Sequence, residues 1–325
     1  MSAFLSKDFL SSMPAIAVAL SGGPDSMALT YMLSETLKKN KLDTQLHALT
    51  VNHNLREDSL EEAKEVSQWT KQLHNTTHHI LNWEAPKSDT RIMESARKAR
   101  YNLLADYCNN HSIPYLYVAH HQDDQAETFL FRLSKGSGLD GLACMSEKTS
   151  FAQNLQIIRP LLNSSKMELI DYCKEHNLPF IEDPTNKKAD YARPRLRESM
   201  PILEKEGLSA KRLSVTAMRI ERAKRALQWM QEKAVQECCN ISLSETEINL
   251  EKLESYPEDI RVRVLQHVIL FYAENAEYAP RMEKIETIVE DLFAPTIFRK
   301  RTFASLIFEK KTRGDKVICL ISPEK

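Results

Sequence analysis

Glycine is scarce in this sequence. The 325 residues include 7 glycines, and most of them fall in two clusters, at residues 22–23 and 136–141. Because glycine lets a backbone turn tightly and approach a ligand closely, these clusters mark candidate binding loops. No apolar run reaches the roughly 20 residues that a membrane-spanning helix needs, and the N-terminus lacks the apolar core of a signal peptide. These absences predict a cytoplasmic protein with no membrane partner.

Paired cysteines and net charge are also missing. The six cysteines form no C-x-x-C pair and no zinc-ligand spacing, which predicts reduced thiols. The formal net charge is −1, so overall charge does not indicate a nucleic-acid partner. Residues 187–225, however, contain 12 Lys and Arg against 5 Asp and Glu. This local excess is typical of a phosphate-contacting segment, or of a solvated helix face whose cations pair with nearby Glu.

Strands and helices are predicted to alternate through the first two thirds of the chain. Apolar runs predict strands at residues 15–20, 45–51, 77–81, 113–120 and 157–162. Apolar spacing predicts helices at residues 27–37, 59–74, 90–109 and 165–176. This alternation predicts an α/β fold with a doubly wound, mostly parallel sheet.

A long helix over residues 208–236 is predicted to lead into a smaller, mainly helical C-terminal domain. That domain ends in two β-rich runs, 302–308 and 316–321, which predict a hairpin. The predicted domains are therefore 1–207 and 208–325.

One motif joins the first predicted strand to the first helix: Ser21, Gly22, Gly23, Pro24, Asp25 and Ser26. Its glycines free backbone N–H groups for an anion, and the helix dipole adds attraction. Ser26 is predicted to cap the helix, and Asp25 to hold a metal ion or a cation. The motif matches neither the Walker pattern nor GxGxxG. The alternative interpretation is a tight turn with an N-cap.

A second motif, HHQDDQAET at residues 120–128, follows the fourth predicted strand. Asp124 and Glu127 are three residues apart and share a helix face, where they suit Mg²⁺ or an amine. Their alternative role is favourable charge in the first helical turn. Ser21 and His53 also follow predicted strands. Because parallel strands end at one edge of the sheet, we expect one shared site there.

Several motifs in order resemble the tRNA(Ile)-lysidine synthetase family of PP-loop ATP pyrophosphatases. They are SGGPDS at 21–26, VNHNLR at 51–56, ESARKARY at 94–101, AHHQDDQAET at 119–128, KGSGLDGL at 135–142, IIRPLL at 157–162, and DPTN with YARPRLR at 183–197. The chain departs from the family pattern at Asn52, Asn54, Lys135 and Pro194. Pro194 replaces an asparagine and removes its amide side chain and a backbone donor. The resemblance implies an adenine nucleotide alpha hydrolase-like fold in one of the family's shorter forms.

The resemblance also implies a reaction. ATP would activate the wobble cytidine of tRNA(Ile) with a CAU anticodon, at the oxygen on carbon 2, and pyrophosphate would leave. The ε-amine of free L-lysine would then displace AMP to give lysidine. The implied cofactors are ATP and Mg²⁺, and a homodimer is left open as the oligomeric state.

Site residues follow from the same resemblance. Those implied to be catalytic are Asp124, Glu127, Arg193 and Arg197. Those implied to bind ATP are residues 21–26, His53 and Arg100. Asp25 and Asp124 are implied to hold the metal. Asp124 is favoured as the base for the lysine amine because it lies nearer the strand end, and the two arginines would stabilise charge on phosphate or base.

Three other functions are weaker candidates. A PP-loop tRNA thiolase needs paired cysteines or an iron–sulfur cluster, whereas Cys238 and Cys239 are adjacent and lie outside the predicted catalytic domain. A glutamine-dependent amidotransferase would need an ammonia-producing domain, for which there is no room. A non-catalytic nucleotide- or RNA-binding module is disfavoured because the carboxylates beside the loop are intact.

Overall fold

The computed structural model describes residues 2–53, 59–83, 92–152, 154–181, 192–273 and 281–324. The chain divides into two compact units, residues 1–221 and 222–325, and one helix, Ala210–Cys238, contributes to both. This division falls later than the 207/208 boundary expected from the sequence. The reason is that Leu213 and Ala217 of this helix pack with Phe129 in the core of the first unit.

The first unit is built on a six-stranded sheet. Its strands are β1 (Ala15–Ala19), β2 (Gln45–Asn52), β3 (Thr76–Asn82), β4 (Tyr115–Tyr117), β5 (Lys148–Ala152) and β6 (Leu155–Ile158). Its helices are α1 (Lys7–Ser11), α2 (Pro24–Asn40), α3 (Ser59–Thr70), α4 (Ile92–Asn110), α5 (Gln122–Ser134), α6 (Leu139–Leu142), α7 (Lys166–Glu175), α8 (Ala192–Lys205) and α9 (Ala210–Cys238).

The strand order β3-β2-β1-β4-β6-β5 confirms the predicted doubly wound sheet. Pairing is parallel from β3 to β6, and β5 is an antiparallel edge strand. Buried side chains of β1 alternate between two cores, with Ile16 and Val18 in one and Ala17 in the other. The chain leaves β1 toward β2 and β3 and returns to its other side at β4. A crevice between the carboxyl ends of β1 and β4 is where such sheets bind ligands.

Two of the predicted strands are shorter than the sequence suggested, and one strand was missed. β4 begins at Tyr115 and β6 ends at Ile158. Each is bordered by a proline, Pro114 or Pro160, which has no N–H to give to the ladder. β5 was missed because its residues are mostly exposed, so it carries no apolar run.

The second unit combines helices with a five-stranded antiparallel sheet. Beyond α9, its helices are α10 (Leu250–Glu254), α11 (Glu258–Tyr272) and α12 (Met282–Phe293). Its strands are β7 (Cys239–Ile241), β8 (Thr246–Asn249), β9 (Arg301–Phe303), β10 (Leu306–Arg313) and β11 (Lys316–Pro323), in the order β7-β8-β11-β10-β9. The predicted hairpin is present as β10 and β11. The predicted run 302–308 combines β9, the turn at Ala304 and Ser305, and the start of β10. β7 and β8 were not predicted because runs of three or four residues carry little periodic signal. Among the described residues no helix has the length and apolarity to cross a membrane.

Candidate active site

Gly22 and Gly23 form the turn from β1 into α2. Gly22 has a φ of +83°, and its carbonyl oxygen accepts a hydrogen bond from the Ile181 N–H at 2.9 Å. A Cβ atom on Gly22 would lie 2.7 Å from Val66 Cγ2, so the position has neither the conformation nor the space for a side chain. Gly23 is the N-cap of α2, and Pro24 occupies the first helical turn.

Ser26 does not cap α2, contrary to the prediction from the sequence, because Gly23 occupies the cap position. The Ser26 hydroxyl instead donates to the Gly23 carbonyl oxygen at 3.0 Å and accepts from the Ser21 N–H at 3.2 Å. Its Oγ also lies 3.2 Å from the Ser21 Oγ. These bonds hold the two ends of the loop together around the helix N-terminus.

The two glycines should respond differently to alanine. Gly22→Ala should cost about 1–3 kcal/mol through backbone strain and crowding and should lower the thermal unfolding midpoint. At Gly23 the nearest atom to an added Cβ is Ser21 Oγ at 3.7 Å, so Gly23→Ala should fold normally. If the loop cradles phosphates, the new methyl group should still weaken ATP binding. Thermal unfolding with ATP titration measures both effects, and wild-type ATP affinity in Gly23→Ala would contradict close approach of a ligand at that glycine.

A buried histidine brings the loop and α5 together. His121 Nε2 lies 3.5 Å from Oδ2 of both Asp25 and Asp124, and His121 Nδ1 lies 3.4 Å from Asp123 Oδ2. Burial would lower the pKa of His121, but the nearby carboxylates of Asp123, Asp25 and Asp124 raise it to about 10. The site therefore contains an imidazolium among three carboxylates, and two of them, Asp25 and Asp124, come from the predicted site.

Backbone donors fix the carboxylates at the start of α5. His121 is the N-cap residue, and its N–H donates to Asp124 Oδ2 at 3.0 Å. The Lys166 N–H donates to Asp123 Oδ2 at 2.9 Å. The hydrogen bond from His121 lowers the pKa of Asp123, burial raises it, and the Lys166 bond lowers it further. The acids at this helix N-terminus are thus held in place as well as stabilised by the dipole.

The donor set fits a magnesium ion that also binds substrate phosphates. Asp25 Oδ1 is buried and has no hydrogen-bond partner among the described residues. Mg²⁺ commonly takes one or two carboxylates and completes its shell with water and phosphate oxygens. Asp25 and Asp124 supply such carboxylates beside the phosphate loop. Within the described ranges no three His, Cys, Asp or Glu side chains form a metal cluster by themselves.

Glu127 and Arg197, both predicted to be catalytic, form an ion pair in which Glu127 is buried and Arg197 is partly exposed. Arg197 Nε donates to Glu127 Oε1, and Arg197 Nη2 donates to Glu127 Oε2 at 3.2 Å. The Glu127 side chain is 7% exposed. The hydrogen bond to Glu127 raises the pKa of Arg197, burial lowers it, and the charges of Glu127, Asp124 and Asp123 raise it again. Arg197 therefore faces the carboxylate site, whereas the side chain of Arg193 lies outside the described residues.

His53 and Arg100 form a separate group at the end of β2. Burial, and then the charge of Arg100, lower the pKa of His53. His53 Nδ1 is buried without a partner among the described residues, and its ring meets Trp83 edge-on at 5.7 Å. The role of His53 and Arg100 in binding ATP remains a prediction.

His121 is the site residue to which the sequence assigned no role. The available signal was its position within a string of acids directly after a strand. That signal did not reveal its burial, nor that Asp25, almost a hundred positions earlier, would lie against the same imidazole. The distances from His121 to Asp25 and Asp124 supply that information.

Comparison with known proteins identifies the family. The PP-loop domain family matches residues 2–204. A tRNA(Ile)-lysidine synthase from Rhodopseudomonas palustris is 35% identical over 309 residues, which is 94% of this chain and 88% of the relative. The chain belongs to the tRNA(Ile)-lysidine synthase family. A family member from Wolbachia pipientis is 42% identical over 274 residues, 84% of this chain, and this alignment spans 63% of the Wolbachia protein's length.

Family membership agrees with the resemblance expected from the motifs. A solved structure, the U34-tRNA thiolase NcsA from Methanococcus maripaludis with its iron–sulfur cluster, matches with a TM-score of 0.56 and 19% identity. That match covers 67% of this chain and 74% of the thiolase, and it shows the shared fold.

Four of the six cysteines are buried. All six are free. Burial raises the pKa of Cys108, Cys239 and Cys319 to about 12 and that of Cys144 and Cys173 to about 11. Burial also raises the pKa of Cys238. Burial therefore disfavours the thiolate form of these side chains.

Proposed function

We propose that this chain uses ATP to ligate free L-lysine to carbon 2 of the wobble cytidine of tRNA(Ile) with a CAU anticodon. The observation that carries the proposal is the meeting of Asp25, from the PP-loop, with Asp124, from the HHQDDQAET motif, around His121. This arrangement places carboxylates from both family motifs next to a glycine loop that can hold phosphates. We assign the reaction to the cytoplasm, where tRNA is modified.

In the first step the cytidine oxygen would attack the α-phosphorus of ATP, and pyrophosphate would leave. The N–H groups at Gly22 and Gly23 and the start of α2 bind the phosphates. Asp25, whose Oδ1 has no partner among the described residues, would hold Mg²⁺, which would neutralise charge on the leaving pyrophosphate when it is bound. Arg197, held by Glu127, faces the same carboxylates and stabilises charge that develops on phosphate or base.

In the second step the lysine amine would attack carbon 2, and AMP would leave. The attacking amine must be neutral, so its proton must pass to a base. Asp124 suits this role because one of its oxygens is fixed by the His121 N–H and its side chain remains 21% exposed. Glu127 is less suited because both its oxygens are bonded to Arg197. We therefore assign Glu127 to positioning Arg197.

Incorporation of labelled lysine into an unmodified tRNA(Ile) transcript tests the function. The matched control is the elongator methionine tRNA, which has the same CAU anticodon. We expect label in the isoleucine tRNA and AMP formation that depends on that tRNA. AMP formation without lysine incorporation would contradict the ligase and would favour another PP-loop reaction.

Binding of tRNA should depend steeply on salt because the basic segment 187–225 would contact phosphates. Lys211 is exposed at the start of α9 and is the best probe. Arg212 is a poorer probe because its guanidinium donates to the Gly207 carbonyl oxygen at 3.0 Å and supports that turn. Lys211→Ala should weaken all tRNAs about equally and reduce the log–log salt slope by about 1.

The matched control for Lys211→Ala is Lys39→Ala on α2, also an exposed lysine. Filter binding across a range of salt concentrations measures both slopes. If the wild-type protein bound tRNA with the same affinity at low and at physiological salt, phosphate contacts by this segment would be ruled out.

A further inference from the structure

Three arginines surround an aromatic pair beside the candidate active site. Tyr101 of α4 and Phe151 of β5 have ring centroids 5.3 Å apart. The guanidinium groups of Arg97 and Arg100 lie 5.8 Å and 5.4 Å from the centroid of the Tyr101 ring. Arg159, just after β6, interacts electrostatically with both Tyr101 and Arg97. We call these five residues the Tyr101 cluster.

Arg97 and Arg159 have no carboxylate partner within the described part of the chain. Arg159 Nη1 donates to the Ser146 carbonyl oxygen at 3.0 Å and to Thr149 Oγ1 at 2.9 Å, and its Nε donates to His120 Nδ1 at 3.3 Å. These acceptors are uncharged. Burial lowers the pKa of Arg159, Tyr101 raises it, and the charge of Arg97 lowers it. Like charges held together without acids form a site suited to an anion.

The cluster adjoins the carboxylate site. His120, which accepts the hydrogen bond from Arg159, is the residue before His121, and His121 contacts Asp25 and Asp124. Phe151 is 41% exposed on the edge strand, so part of its ring is open to solvent. Phe151 follows Ser150, which pairs with Gln156 near the start of β6, whereas Arg159 follows the end of that strand. A ligand that extends from Phe151 to Arg159 would therefore lead toward the residues proposed to react.

We propose that the Tyr101 cluster binds a single-stranded RNA segment, with an unpaired base stacked on Phe151 and phosphates at Arg97 and Arg159. Aromatic rings that stack on bases, next to cations that bind the backbone, are how proteins hold single-stranded nucleic acid. This inference rests on the proposed function, since the anticodon loop is the single-stranded part of tRNA that must enter the site. The wobble base must leave its stack to react, and a neighbouring base held on Phe151 would keep the loop open.

The test compares binding of two RNAs, the anticodon stem-loop of unmodified tRNA(Ile) and a fully paired RNA duplex. Phe151→Ala should weaken stem-loop binding about 10-fold or more, the usual loss for one stacked base, and leave duplex binding unchanged. Phe151→Trp should restore binding because indole also stacks. Arg97→Ala should lower the salt slope by about 1. The controls are Phe271→Ala and Lys39→Ala, which remove an exposed phenylalanine and an exposed lysine elsewhere.

A fluorescent 2-aminopurine in the anticodon loop reports stacking directly. Its emission should fall when the wild-type protein binds and should fall less with Phe151→Ala. ATP binding should be unchanged in both variants. Wild-type stem-loop affinity in Phe151→Ala and Arg97→Ala, or an equal loss for the duplex, would overturn this inference alone. Absence of stem-loop and tRNA binding by the wild-type protein would instead contradict the proposed function.

Discussion

Asp25→Ala should reduce tRNA-dependent AMP formation by about 10³-fold or more, because charge stabilisation by a bound metal is worth several kcal/mol in the transition state. Asp25 carries a buried oxygen with no partner among the described residues, and only Pro24 separates it from the glycines of the loop. Its side chain is 26% exposed and lies outside the three hydrophobic cores of the first unit, so the variant should fold. Single-turnover AMP formation with saturating tRNA, together with thermal unfolding, measures the two quantities separately.

The matched control is Asp123→Asn. Asp123 also contacts His121, at 3.4 Å, but through Nδ1 on the other side of the ring. This variant removes a similar negative charge from beside the His121 ring and leaves Asp25 in place. It should therefore keep most of the AMP formation. Equal losses in the two variants would mean that Asp25 acts by balancing the charge of His121. Wild-type AMP formation by Asp25→Ala would contradict its assignment to the phosphate and metal site.

Asp124→Asn should slow lysine transfer more than cytidine adenylation. A missing general base commonly costs ~10²–10⁴-fold. Asparagine keeps an oxygen for the His121 N–H, so the start of α5 should remain folded. Free lysine amines have a pKa near ~10.4, so raising the pH supplies neutral lysine and should partly rescue the variant. Single-turnover kinetics across pH, with adenylated tRNA and lysidine followed separately, measure the effect.

Glu127→Gln is the partner experiment. Glutamine can still bond to Arg197 but loses the buried charge, so this variant should slow both steps together and should show no rescue at high pH. Accumulation of adenylated tRNA in Asp124→Asn but not in Glu127→Gln would support the two roles. If Asp124→Asn slows both steps equally and no adenylated tRNA accumulates, Asp124 serves the metal and the base lies elsewhere.

Much of the first unit could be predicted because its signals are local. Strands β1 and β2 are short apolar runs, and the SGGPDS turn between β1 and α2 has a spacing that few other loops share. Parallel pairing then follows from the alternation of strands and helices. Edge strand β5 and the short strands β7 and β8 could not be predicted. Their residues are exposed or few, and pairing with distant strands is what makes them strands.

The sequence by itself determined the family, the phosphate loop and the carboxylates that follow β4, because these are consecutive residues whose chemistry depends on their neighbours in the chain. Only the tertiary structure decided their partners. The pairing of Glu127 with Arg197 joins residues 70 positions apart. His121 meets Asp25, and Tyr101 meets Phe151, across similarly long stretches of chain. Such contacts depend on how helices and strands pack, and burial then sets the strength of each charge interaction.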